Sequence, residues 1–155
     1  MMMTFVFIFY MATNMVPANV DQFKIEAQNP SDKTDTIILN FDRDKTGRWK
    51  VVPNHKPDDI MFFKFDDQSN FIMQDGQEGK EKTYPLLQKM SVEKNHKKWK
   101  KATSVTFKNI EKDKKGLKGL VFDIQKSGKR KRTITMDTDK NKDIGELPTM
   151  TVIWE

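Results

Sequence analysis

The chain contains no cysteine among its 155 residues, so disulfides, cysteine-ligated zinc, thiolate catalysis and a lipid-modified N-terminal cysteine are all excluded. Histidine is almost as scarce. With only His55 and His96, one chain cannot build a three-histidine metal site, and any histidine-assisted nucleophile would have to use one of these two. Charge is missing altogether from the first twenty residues. No sequon for N-glycosylation occurs either, because Asn29-Pro30-Ser31 carries the forbidden proline.

What is present is bulky apolar material under a highly charged surface. Hydrophobic residues make up 36% and charged residues 32%, which is polar for a folded domain, yet eleven Phe and three Trp supply core side chains that disordered chains lack. A single domain of this length buries enough of its surface to be stable without cross-links.

The uncharged N-terminus holds the apolar run Phe5-Val6-Phe7-Ile8-Phe9-Tyr10-Met11-Ala12. The run falls far short of the ~20 residues that cross a bilayer as a helix. Followed by Val16-Pro17-Ala18, with small residues at the −3 and −1 positions, it reads as a signal-peptide core cleaved after Ala18. The mature domain would then span residues 19–155 and keep 137 residues in the secreted space or cell envelope. An aromatic-rich first strand is the alternative for a chain that keeps its N-terminus, and an uncleaved anchor is a third.

Beyond Val20 the sequence is a series of short alternating or β-branched runs separated by turn chemistry, the pattern of stacked antiparallel strands. Strands are expected over residues 22–27, 34–41, 48–52, 60–65, 71–74, 104–110, 118–125, 130–137 and 150–154. Leu120, Phe122 and Ile124 share one face, Ile134 and Met136 share another, and Lys126-Ser127-Gly128-Lys129 joins them as a hairpin. Nine such strands predict an all-β fold: an antiparallel β-sandwich, immunoglobulin-like by strand count and spacing, with a small β-barrel as the alternative. One helix is expected near residues 84–101, where Thr83 is a capping residue and Leu86 and Met90 stand four apart. No repeat, linker or break in composition divides the chain.

The net charge of +6 conceals three unlike segments: 8 basic and 12 acidic residues over 1–79, 18 and 5 over 80–135, and 2 and 5 over 136–155. A surface of one sign attracts polyanions whatever fold lies beneath it. Two clusters stand out in the central segment. Lys94, His96, Lys97, Lys98, Lys100 and Lys101 surround Trp99, whose ring suits stacking on a base or sugar. Lys129, Arg130, Lys131 and Arg132 fall with Lys126 on the expected hairpin. Both patterns also suit a plain solvated surface, and lysines on a hairpin discourage edge-to-edge pairing.

Catalytic and metal motifs are weak by comparison. Asp137-Thr138-Asp139-Lys140-Asn141-Lys142-Asp143 spaces oxygen ligands as a calcium loop does, but it has Lys142 in place of the sixth-position glycine and Pro148 in place of the closing glutamate. Asp42 to Gly47 has the glycine and then reaches Pro53 at the closing position. Asp58-Asp59 and Asp66-Asp67 are adjacent pairs that a strand would point to opposite faces. The serines lack the context of a nucleophile elbow.

The expectation is therefore a non-catalytic, secreted or cell-envelope binding module without cofactor, metal or membrane span, whose basic surface meets acidic glycans, lipid headgroups or acidic proteins. A protein-interaction or inhibitory domain with one specific protein partner is the alternative. An intracellular nucleic-acid binder ranks below both.

Overall fold

The structure, a computed structural model, describes residues 2–28, 34–109, 120–136 and 149–155. Helix α1 (Met2–Met15) is followed by β1 (Gln22–Gln28), β2 (Thr36–Arg43), β3 (Trp49–Pro53), β4 (Met61–Phe65), β5 (Phe71–Asp75) and β6 (Lys82–Tyr84). A 3-10 turn at Leu86–Lys89 leads into β7 (Met90–Lys94), and a second at Trp99–Lys101 precedes β8 (Ser104–Asn109). The chain then forms β9 (Leu120–Gly128), β10 (Lys131–Met136) and β11 (Met150–Trp154).

The eleven strands among the described residues belong to one antiparallel sheet in the order β6-β5-β4-β3-β2-β1-β11-β10-β9-β8-β7. The all-β, sandwich-like architecture is the one expected, and every one of the nine expected strands is present. The connectivity is a plain meander whose first and last strands pair with each other, with Phe23 opposite Trp154 and Ile25 opposite Val152. It contains no Greek-key crossing of the immunoglobulin kind.

The same order explains why the sheet does not close into a barrel. Closure would set β6 beside β7, and because eleven is odd, a ring of otherwise antiparallel strands brings those two out parallel. Parallel neighbours need a crossover of a dozen or more residues. Only residues 85–89 connect β6 to β7, so the seam between them is unpaired among the described residues.

One face of each strand points inward by the two-residue period of extended chain. Ile25, Phe41, Val51, Phe63, Phe107, Phe122, Ile134 and Val152 are all buried on that face. The outward face is mostly polar, with Lys24, Asn40, Lys50, Lys64, Thr106 and Thr133, although Phe62 and Val121 are buried on it; the inward face is the continuous apolar side and must be covered.

The cover is α1. Phe9 packs on Phe41 and Phe63 with ring centroids 5.1 Å away in each case, and Phe7 meets Phe107 at 4.7 Å. Both halves of the sheet therefore fold onto one helix, which makes the architecture sandwich-like with a helix between the halves. Residues 5–12, expected as a signal core or a strand, are helical here; Val6, Phe7, Ile8, Phe9, Met11 and Ala12 are all buried. A helix satisfies its own backbone groups, so it can sit in an apolar interior where a lone strand would leave its hydrogen bonds unmade.

The helix expected near residues 84–101 is replaced by a strand and two 3-10 turns. Met90 and Val92 take the alternation of β7 and pair with Asn109 and Phe107 of β8, which a helix could not do. The four-residue spacing of Leu86 and Met90 arises from the 3-10 turn running into that strand. Among the described residues, no helix is long and apolar enough to cross a membrane.

Candidate functional site

Strand directions decide where the basic residues lie. Lys94 is paired with Val105 and Ser104 with Asp123, so the β7–β8 loop, residues 95–103, leaves the sheet at the end toward which β9 runs. β9 continues past Ile124, whose N–H bonds to the Thr103 carbonyl at 2.8 Å, as far as Gly128, and β10 returns from Lys131. At ~3.3 Å per residue, the hairpin tip extends on the order of 13 Å beyond the point where that loop rejoins the sheet at Thr103. Both basic clusters thus project from one end of the sheet, on connections flanking the paired strands β8 and β9.

The β7–β8 loop is held by its own side chains. The Asn95 carboxamide oxygen accepts from the Thr103 and Ser104 amides at 2.8 and 3.1 Å, and His96 Nδ1 accepts from the Lys98 amide at 3.0 Å. Lys97, Lys98, Lys100 and Lys101 are exposed, as is the His96 ring. Trp99 is half-buried: its ring meets the edge of Tyr10 at 6.0 Å, and the Lys94 ammonium lies 5.5 Å from its centroid. One part of the indole is committed to the core and another is covered by a cation.

On the hairpin, Lys126, Lys129, Arg130 and Lys131 are exposed. Arg132 is not. It is only 7% exposed, its guanidinium lies 5.3 Å from the Trp154 ring, and Nη1 donates to the Gly128 and Lys131 carbonyls at 3.2 and 3.0 Å. Burial pushes its pKa down from the ordinary arginine value. Arg132 therefore fastens the hairpin and is removed from the surface cluster. Its parity with Ile134 and Met136, both inward-facing, is the sequence signal for that role.

The acidic motifs resolve into turns. Asp44 Oδ1 accepts from the Thr46 hydroxyl at 2.5 Å and from the Thr46 and Arg48 amides at 2.9 and 3.1 Å. Those bonds, the hydroxyl's first, hold its carboxyl below the usual aspartate range. Gly47 completes the turn at a φ of 89°. Asp66 performs the same task in the β4–β5 turn, accepting from the Asn70 side chain and from the Gln68 and Asn70 amides, and its pKa is lowered chiefly by Asn70.

Asp58 and Asp59 are exposed in the β3–β4 connection. The calcium-like segment 137–143 lies outside the described residues. Among the described residues no group of three His, Asp or Glu side chains is placed to hold a metal ion. No family of known proteins, no curated protein and no solved structure matches this chain.

Proposed function

We propose that the chain is a non-catalytic binding module that meets linear acidic polymers, acidic polysaccharides first among them, through its basic end. The observation that carries this reading is the shared end. Lys97, Lys98, Lys100 and Lys101 of one connection and Lys126, Lys129, Arg130 and Lys131 of the other are all exposed, and the strands between them are hydrogen-bonded neighbours. No acidic residue occurs in either connection to neutralise them. Several cations on one polyanion release counterions together, so binding is strong at low salt and falls steeply as salt rises.

The test is retention of the full chain on immobilised heparin, single-stranded DNA and anionic vesicles. The reading predicts retention on heparin in low salt and early elution once Lys97, Lys98, Lys100 and Lys101 are changed to Gln. Failure of all three supports to retain the protein would overturn it. Preference for DNA or for vesicles over heparin would move the partner to nucleic acid or to lipid headgroups.

The compartment belongs to the same proposal. The apolar run through Ala12 and the small residues Val16 and Ala18 suit an export signal, which would put the module outside the cell or in its envelope without α1; the burial of Val6, Phe7, Ile8, Phe9, Met11 and Ala12 against the sheet supports the alternative, a chain that keeps its N-terminus. Intact mass from the native host decides it: a species beginning at Asn19 outside the cell means export with the concave face of the sheet uncovered. A full-length cytosolic species keeps α1 in the core and turns the reading toward nucleic acid.

A second reading, binding of one protein partner by strand addition, draws on the open seam. Among the described residues the outer edges of β6 and β7 have no strand partner, and β7 offers five residues for such pairing. It predicts a complex that survives a high-salt wash and is indifferent to the lysine changes.

A further inference from the structure

At the end of the sheet opposite the lysines, a cavity of about 760 Å³ lies between the N-terminal half of α1 and the concave face of β2–β5. Its wall is apolar and includes Phe9, Leu39, Val51, Met61 and Met73. Phe5, which also lines it, is the one exposed large hydrophobic side chain among the described residues, at 45% exposure. Tyr84, Pro85 and Lys89 bring the unpaired seam to the same cavity, so the gap between β6 and β7 adjoins it.

The volume lies within the ~300–1,000 Å³ of small-molecule sites. The charged residues among those lining the cavity are Asp59, Asp75 and Lys89, all exposed and none in an ion pair among the described residues. Two carboxylates against one ammonium give this rim a negative balance, opposite in sign to the +6 of the whole chain.

We infer that this cavity binds one single-chain amphiphile with an ammonium head group, its aliphatic chain between α1 and β2–β5 and its head at the rim beside Asp59 and Asp75. The chain requires only the apolar wall. The head group is selected by the rim, and Lys89 leaves room for a phosphate beside the ammonium, as in a zwitterionic lipid head.

The experiment titrates the full-length protein with dodecyltrimethylammonium, dodecylphosphocholine and dodecanoate, each monomeric, and follows the methionine methyl resonances. Saturable one-to-one shifts are expected at Met61 and Met73 but not at Met136 or Met150, which lie on β10 and β11. Both ammonium-bearing ligands should bind at least tenfold tighter than dodecanoate, the reverse of what the net charge alone would favour. Met73→Trp should abolish binding of all three while the Met136 and Met150 resonances stay in place. Asp59→Asn with Asp75→Asn, on the exposed rim, should erase the tenfold preference, and this pair carries the test if Met73→Trp does not fold. The inference is overturned if no ligand gives saturable shifts at Met61 and Met73, or if dodecanoate binds as tightly as the other two.

Discussion

Asp44 and Asp66 each spend a carboxylate on the turn that follows, and the consequence is a pH dependence of known sign. Their folded pKa values are lowered, so their contribution is fully present above the unfolded value, about 3.9 for aspartate, and is lost as pH falls through the lower folded values. Urea midpoints should therefore hold between pH 6 and 5 and decline below about pH 4. Asp44→Asn with Asp66→Asn should flatten that decline; an unchanged pH profile would contradict it.

Arg43 joins elements that are distant in sequence. Its guanidinium donates to Asp21 Oδ1 at 2.8 and 3.0 Å and to the Ala18 carbonyl at 2.6 Å, and it lies 5.1 Å from the Trp49 ring. Arg43→Ala should cost about 1.5–3 kcal/mol in urea unfolding, the range for hydrogen bonds to charged groups. Arg132→Ala should cost a similar amount, with much less effect on heparin retention than Lys129→Gln.

At the scale of elements, α1 is the piece that holds the two halves of the sheet together. Phe9→Ala removes a ring that touches β2 and β4 at once, and should lower stability by about 3–5 kcal/mol in denaturant unfolding. A change under 1 kcal/mol would mean that the helix does not pack as described. The helix was hidden in the sequence because it is buried on nearly all sides. Such a segment has no polar face to reveal a 3.6-residue period, and a short apolar run looks the same as a signal core or a buried strand.

The nine strands from β1 to β5 and from β8 to β11 were legible because one face of each is wet, so alternation marks them. The two missed strands had weaker marks. β6 is three residues long, too short to show a period, and β7 follows a 3-10 turn whose spacing imitates a helix. Lys97, Lys98, Lys100 and Lys101 were readable as a cluster, but the end of the sheet they share with Lys129 and Arg130 depends on which strands pair and in which direction. That information lies in the registers of β7, β8 and β9.

Over the whole molecule, the odd strand count, the short β6–β7 connection and the helix in the concave face belong together. The first two keep the ring open, and the third fills most of the space that an open ring leaves uncovered. The outcome is a module with two unlike ends: at one, the cationic connections beside β8 and β9 together with the Asp44 and Asp66 turns farther along the sheet, and at the other, an apolar cavity with an acidic rim. The two proposals concern opposite ends, and the second requires a chain that retains α1.

The central claim is that the two basic connections act as one surface. It is tested most directly by the slope of log Kd against log salt for a defined heparin oligosaccharide. The slope should be measured on the wild type, on the variant with Lys97, Lys98, Lys100 and Lys101 changed to Gln, and on the variant with Lys126, Lys129, Arg130 and Lys131 changed to Gln. Each neutralised cation that touches the polymer should remove slightly less than one unit of slope. A steep wild-type slope that both variants make shallower is the predicted result; a flat wild-type slope, or one that only a single cluster alters, would contradict the account.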